Sequence, residues 1–168
     1  MIEEVEAKIT KWLKEERFSP IKKENPDAYF HIEAKVGTLV LNVVQWTHYL
    51  DSLEVIVGLD YGEDQLTLLN ELMDPVTRKR YYNSVHLELQ RHPFVWNYRF
   101  GEGSKSIRLH SKRLYFDGLT KDAFMHIFLL MAKIFKLPVT LLEPYFDELW
   151  PGYEPPPPEN RKASVEGL

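Results

Sequence analysis

The residues best placed to do chemistry lie between 94 and 116, where two alternating segments face each other across the turn Gly101-Glu102-Gly103-Ser104. If Phe94, Trp96, Tyr98 and Phe100 share one face of a strand, Asn97 and Arg99 share the other. Pairing that strand with Lys105–Phe116 brings Arg108 and His110 beside them, with Lys105 and Lys112 close by. Asn97, Arg99, Arg108 and His110 on a flat strand pair could donate to phosphate oxygens or hold a nucleic-acid backbone. The same parity sends the aromatic residues to the core, which would leave none exposed to stack on bases.

Other candidates are weaker. The run Gly101–Ser106, GEGSKS, superficially resembles a phosphate loop, but Ser104 separates the last glycine from Lys105 and a strand follows where a helix is needed. A hairpin turn is the expectation there. The six histidines His31, His48, His86, His92, His110 and His126 show no metal-ligand spacing; His86 and His92, six apart, fall on different sides of a helix. Asp60, Glu63 and Asp64 could gather around a cation or act as an acid/base pair, yet acids before a helix already have a reason to be there. No nucleophile elbow and no helical His-Glu-x-x-His occurs. The expectation is therefore no catalytic residue, no cofactor and no metal.

Composition narrows the field further. The chain has 168 residues, enough for one domain with a real core, and no cysteine, which excludes disulfides, thiol nucleophiles and iron–sulfur clusters. Its net charge of −4 is unevenly spread: Arg78–Tyr115 holds nine Lys and Arg against Glu88 and Glu102, or +7, leaving −11 elsewhere. That band can meet an anionic ligand, or the acidic surface of another copy. The N-terminus, MIEEVEAKITKWLKEE, alternates acids and bases without the apolar stretch of a signal peptide. His126 and Lys133 break the most apolar run, so no run is expected to span a bilayer, and a cytoplasmic protein is expected.

The elements that position these residues centre on Leu114–Phe135, LYFDGLTKDAFMHIFLLMAKIF: a strand end, an Asp117-Gly118 turn and a helix capped by Thr120. The apolar residues of that helix cover roughly 240° of the wheel, where burial on one side needs little more than 100°. A sheet must cover one flank, and another element or another subunit the second. Met125, Phe128 and Ala132, with Tyr145, Phe146 and Trp150 further on, are the expected interface.

Taken in order, residues 2–16 form a one-sided helix, and Pro20 to Asp27 a loop. Residues 28–36, 39–46 and 53–59 form a three-strand meander turning at Gly37-Thr38. A short helix follows around Leu66–Met73. Asp74-Pro75 then opens a helix buried through Tyr82, Val85 and Leu89. In the hairpin, Ile107 and Leu109 hold one parity and Leu114 and Phe116 the other, which predicts a one-residue bulge at Ser111–Arg113. Leu137-Pro138 ends the central helix, and Pro144 opens a last short one. The fold class is α+β, a single domain over 1–150 with a five-stranded antiparallel sheet in the order α-βββ-α-ββ-α plus a short C-terminal helix. Residues 151–168 form a proline-rich polar tail, Pro155–Pro158 favouring polyproline II.

This order over residues 2–137, and locally the stretch LYFDGLTKDAFMHIF, resembles type III secretion chaperones and the small YbjN-like proteins, including uncharacterised small prokaryotic proteins of that type. The resemblance implies a homodimer that presents sheet and helix surfaces to protein segments and has no catalytic centre. Protein or peptide binding is accordingly the first expectation. Anion or nucleic-acid binding through 94–116 is the second.

Overall fold

The computed structural model describes residues 2–155. A seven-stranded antiparallel sheet carries its helices on one face, in the strand order β1-β2-β3-β4-β6-β5 with β7 also paired to β4. The strands are β1 (Ile21–Lys23), β2 (Ala28–Val36), β3 (Leu39–Trp46), β4 (Ser52–Asp60), β5 (Val95–Arg99), β6 (Ser106–Ser111) and β7 (Leu114–Tyr115). The helices are α1 (Ile2–Glu15), α2 (Glu63–Thr67) running into a π-helical turn (Leu68–Leu72), α3 (Pro75–Gln90), α4 (Lys121–Ile134), α5 (Leu137–Thr140) and α6 (Glu143–Leu149). The chain is one α+β domain, as expected, with two more strands than the sequence predicts. The sequence predicts a loop where β1 lies, because three residues, Ile21-Lys22-Lys23, are too short to show a period of two.

Alternation fixes the core. Phe30, Ile32 and Ala34 of β2, Leu41 and Val43 of β3, Leu53, Val55 and Val57 of β4, and Ile107 and Leu109 of β6 form one buried cluster with the helices. The register supports it: Ile32 lies opposite Val43, Val43 opposite Val55, and Val57 opposite Leu109.

The predicted bulge is present. Leu53 pairs with Leu114 but Ile56 pairs with His110, so the 110–114 side has one residue more than the β4 side. Ser111 fills the irregularity: its Oγ accepts from the N–H of Val55 at 2.9 Å and donates to the carbonyl of Lys112. Two further slips were not predicted, between Ala28 and Phe30 and between Val95 and Asn97. Each leaves one aromatic residue over, Tyr29 and Trp96, and both stand in solvent. Trp96, 58% exposed, therefore leaves the aromatic core face on which simple alternation puts it.

α4 begins where expected, with Thr120 Oγ1 accepting from Ala123 N at 3.2 Å. Its surplus apolar arc is covered by the chain itself. Trp12 of α1 lies against Phe124, Phe18 against Phe128, and Phe94 edge-on to the exposed His126. Met125, Phe128 and Ala132 are buried in this core, so they are not a surface for a second subunit. The other three expected interface residues are half-buried: Tyr145 packs edge-on against Tyr81, and Phe146 stacks on Trp150 and Tyr153. Pro138 does not simply stop α4; it sits in the first turn of α5. The helical run Lys121–Leu149 is long and apolar enough by composition to cross a membrane, contrary to the sequence expectation. In this fold it is divided into three helices, and half of its most apolar window is buried. Most of the expected proline-rich tail, residues 156–168, lies outside the described residues.

Candidate functional site

The hairpin β5–β6 assembles the four predicted donors. Asn97 lies opposite His110 and Arg99 opposite Arg108, so all four share the sheet face turned away from the helices. Asn97, Arg99 and Arg108 are exposed, and His110 is half-buried. Arg99, Lys105 and Lys112 have no ion-pair partner among the described residues, whereas both acids of this basic band are paired, Glu88 with Arg91 and Glu102 with Arg78.

Sequence reasoning missed the centre of that face. Glu54, 5% exposed, is the third residue of β4 and lies among apolar neighbours. Its Oε2 accepts from Trp46 Nε1 at 3.3 Å and from His110 Nδ1 at 3.3 Å. A carboxylate only accepts, so the imidazole carries its proton on Nδ1. Burial pushes the Glu54 carboxyl up, but the hydrogen bonds from His110 and Trp46 and the charges of His110 and Arg113 outweigh it and hold it below its ordinary value. The Arg113 guanidinium lies 3.3 Å from the centroid of the Tyr49 ring. Beside this group, His31 Nε2 meets Asn42 Oδ1 at 2.7 Å. The signal for Glu54 was available in principle: a carboxylate inside the apolar run Leu53–Val57 needs a partner when it is buried.

Two apolar residues, Val44 and Ile56, complete the middle of the face. Val44 lies opposite His31 and Glu54, and Ile56 opposite Asn42 and His110. Both are buried, and neither belongs to the helix-covered core. Exposed Ile21 and Tyr115 share the face, since they pair with Glu33 and Ser52. The surface therefore has a closed polar and apolar centre, an apolar rim, and a basic margin on β5 and β6.

The weaker candidates resolve as turns and caps. Ser104 N bonds to Gly101 O and Gly101 N to Ser104 Oγ, closing the hairpin turn, with Gly103 at φ 79°. Asp64 accepts from Tyr153 Oη. Among the described residues no three His, Asp or Glu side chains converge as a metal site.

A family model described as "Uncharacterized conserved protein (DUF2299)" matches residues 5–142 of the chain. A crystal structure of an uncharacterized protein from Methanothermobacter thermautotrophicus is similar, with a TM-score of 0.71 and 18% sequence identity over 89% of this chain and 99% of that one. At that identity the likeness shows the fold alone. No curated protein matches the chain.

Proposed function

We propose that this chain, which belongs to the uncharacterized conserved family DUF2299, is a non-enzymatic protein-binding module that offers the outer face of its sheet to a polypeptide and works as a homodimer. The observation that carries the reading is the apolar rim of that face, where Ile21 and Tyr115 remain exposed, together with Tyr29 and Trp96, which stand exposed at the two register slips. A sheet face facing water is expected to be polar; large apolar and aromatic side chains there suit a surface that is covered in use. The resemblance of the element order to type III secretion chaperones and YbjN-like proteins supports the same mode of action. For the dimer, the support lies in the helix layer, where Leu87 and Leu129 are exposed and Tyr145, Phe146 and Trp150 are half-exposed.

Co-purification from native lysate, run in parallel with Trp96→Ala and Tyr29→Ala, tests the binding face, and light scattering tests the dimer. The reading expects a polypeptide that the wild type retains and the variants release, at the mass of two chains. A concentration-independent monomer that retains no polypeptide would refute it.

Exposure of Trp96 beside Asn97 and Arg99 also favours a second reading, nucleic-acid or other anion binding through 94–116, because it supplies the stacking surface that simple alternation denies. That reading expects oligonucleotide binding that weakens steeply with salt and with Arg99→Ala plus Arg108→Ala. No binding at low salt would dispose of it.

A further inference from the structure

We infer that the free edge of β5 takes up an extended acidic segment of the partner polypeptide as an additional strand, a step that rests on the protein-binding reading and specifies its ligand.

The sheet has two edges, and they are unlike. β1 is three residues long, and its two lysines are already neutralised, Lys22 by Glu6 at 2.8 Å and Lys23 by Glu33 at 3.3 Å. β5 is five residues long, ends the strand order on the other side, and contains no acid. Its cation Arg99, with Lys105 at the start of the β6 side and Lys112 at its end, has no ionic partner among the described residues. An edge strand offers unpaired backbone donors and acceptors in alternation. Only another extended polypeptide satisfies both kinds, whereas a phosphodiester backbone only accepts. The unpaired cations select acidic side chains on that polypeptide. A second β5 edge is a poor occupant, because Val95-Trp96-Asn97-Tyr98-Arg99 brings no acid, so self-pairing would leave Arg99 of each copy and the neighbouring lysines without a counter-charge. The register slip leaves Trp96 exposed at this edge, where it can cover an apolar side chain of the added strand.

The test is fluorescence anisotropy at low salt with four labelled probes. They are an eight-residue peptide alternating valine and glutamate, the same peptide N-methylated at alternate backbone nitrogens, a valine–lysine counterpart, and an oligothymidine of eight nucleotides. The valine–glutamate peptide should bind, and the N-methylated and lysine peptides should bind at least about tenfold more weakly. The exposed double reversal Arg99→Glu plus Lys105→Glu, verified as folded by circular dichroism, should invert the preference between the acidic and basic peptides. Equal binding of the N-methylated peptide, tighter binding of oligothymidine, or no binding of the acidic peptide would each overturn the inference. A lysate partner that depends on Trp96 and Tyr29 but is indifferent to the charge reversal would overturn it too, while leaving the broader protein-binding reading in place.

Discussion

Glu54 and His110 meet across β4 and β6 at 3.3 Å, on the outer face of the sheet and beside the register slip that separates β6 from β7. The slip is what brings them together: with Ile56 opposite His110, the imidazole lies diagonally across from Glu54, and Ser111 takes up the backbone irregularity. The pair is a structural fastening as well as part of the surface.

Its pH dependence follows from the direction of the shift. Glu54 is held below its ordinary value in the folded chain, so the unfolded chain takes up that proton first. The stability it contributes is complete above about 4.5 and is lost as the pH falls from there through the lower folded value. Glu54→Ala should cost about 1–3 kcal/mol at neutral pH, by leaving the half-buried Trp46 N–H and the imidazole without their acceptor. It should also flatten the acid limb of a plot of denaturation midpoint against pH. An unchanged acid limb would show that the carboxylate is not coupled to folding.

At the alkaline end, Tyr61 and Tyr81 act in the opposite sense. Their hydroxyls lie 3.0 Å apart, and Tyr81 Oη donates to the carbonyl of Pro138 at 2.8 Å, tying α3 to α5. Burial pushes both phenols far above their ordinary value of 10.0, so above that pH the unfolded chain ionises while the folded chain does not. Stability should fall as pH rises past about 10, and Tyr81→Phe should cost about 1–3 kcal/mol at neutral pH. Urea melts at pH 7 and pH 11 measure both, and the double Phe variant should show the shallower alkaline loss.

Phe128 distinguishes a core helix from an interface helix. It is fully buried within one chain, against Phe18 and Phe124. Phe128→Ala should cost about 3–5 kcal/mol, by the same amount at every protein concentration. A loss that grows on dilution would place Phe128 between subunits instead.

Trp96 makes the converse prediction. As an exposed residue at a slip, it should tolerate Trp96→Ala within about 0.5 kcal/mol, with loss of the most solvent-quenchable part of the tryptophan fluorescence. A cost of several kcal/mol would return it to the core face.

Periodicity made much of this fold legible. The burial of α4, its Thr120 cap, the meander and the slip at Ser111–Arg113 all follow from where apolar residues recur. What stayed hidden has particular causes. Three residues of β1 carry no period. The slips at Tyr29 and Trp96 break alternation without a Gly or Pro to mark them, so Trp96 read as core. The width of the apolar arc on α4 correctly demanded a second cover, but a wheel cannot say whether α1 of the same chain or another subunit provides it. At the candidate surface, cross-strand pairing of Asn97 with His110 and Arg99 with Arg108 was readable from parity. The Glu54 partners were not, because Trp46 reaches it from the end of β3 and His110 and Arg113 from a segment more than fifty residues away.

The central claim is that the sheet face turned away from the helices meets a polypeptide, and a photo-reactive benzoylphenylalanine at position 96 tests it most directly, with the same group at the exposed Leu87 of α3 as control. After irradiation in native lysate and mass spectrometry, position 96 should capture a defined polypeptide other than a second copy of this chain, and position 87 should not capture it. Capture of nucleic acid alone at position 96, or the same polypeptide recovered equally from both positions, would contradict the claim.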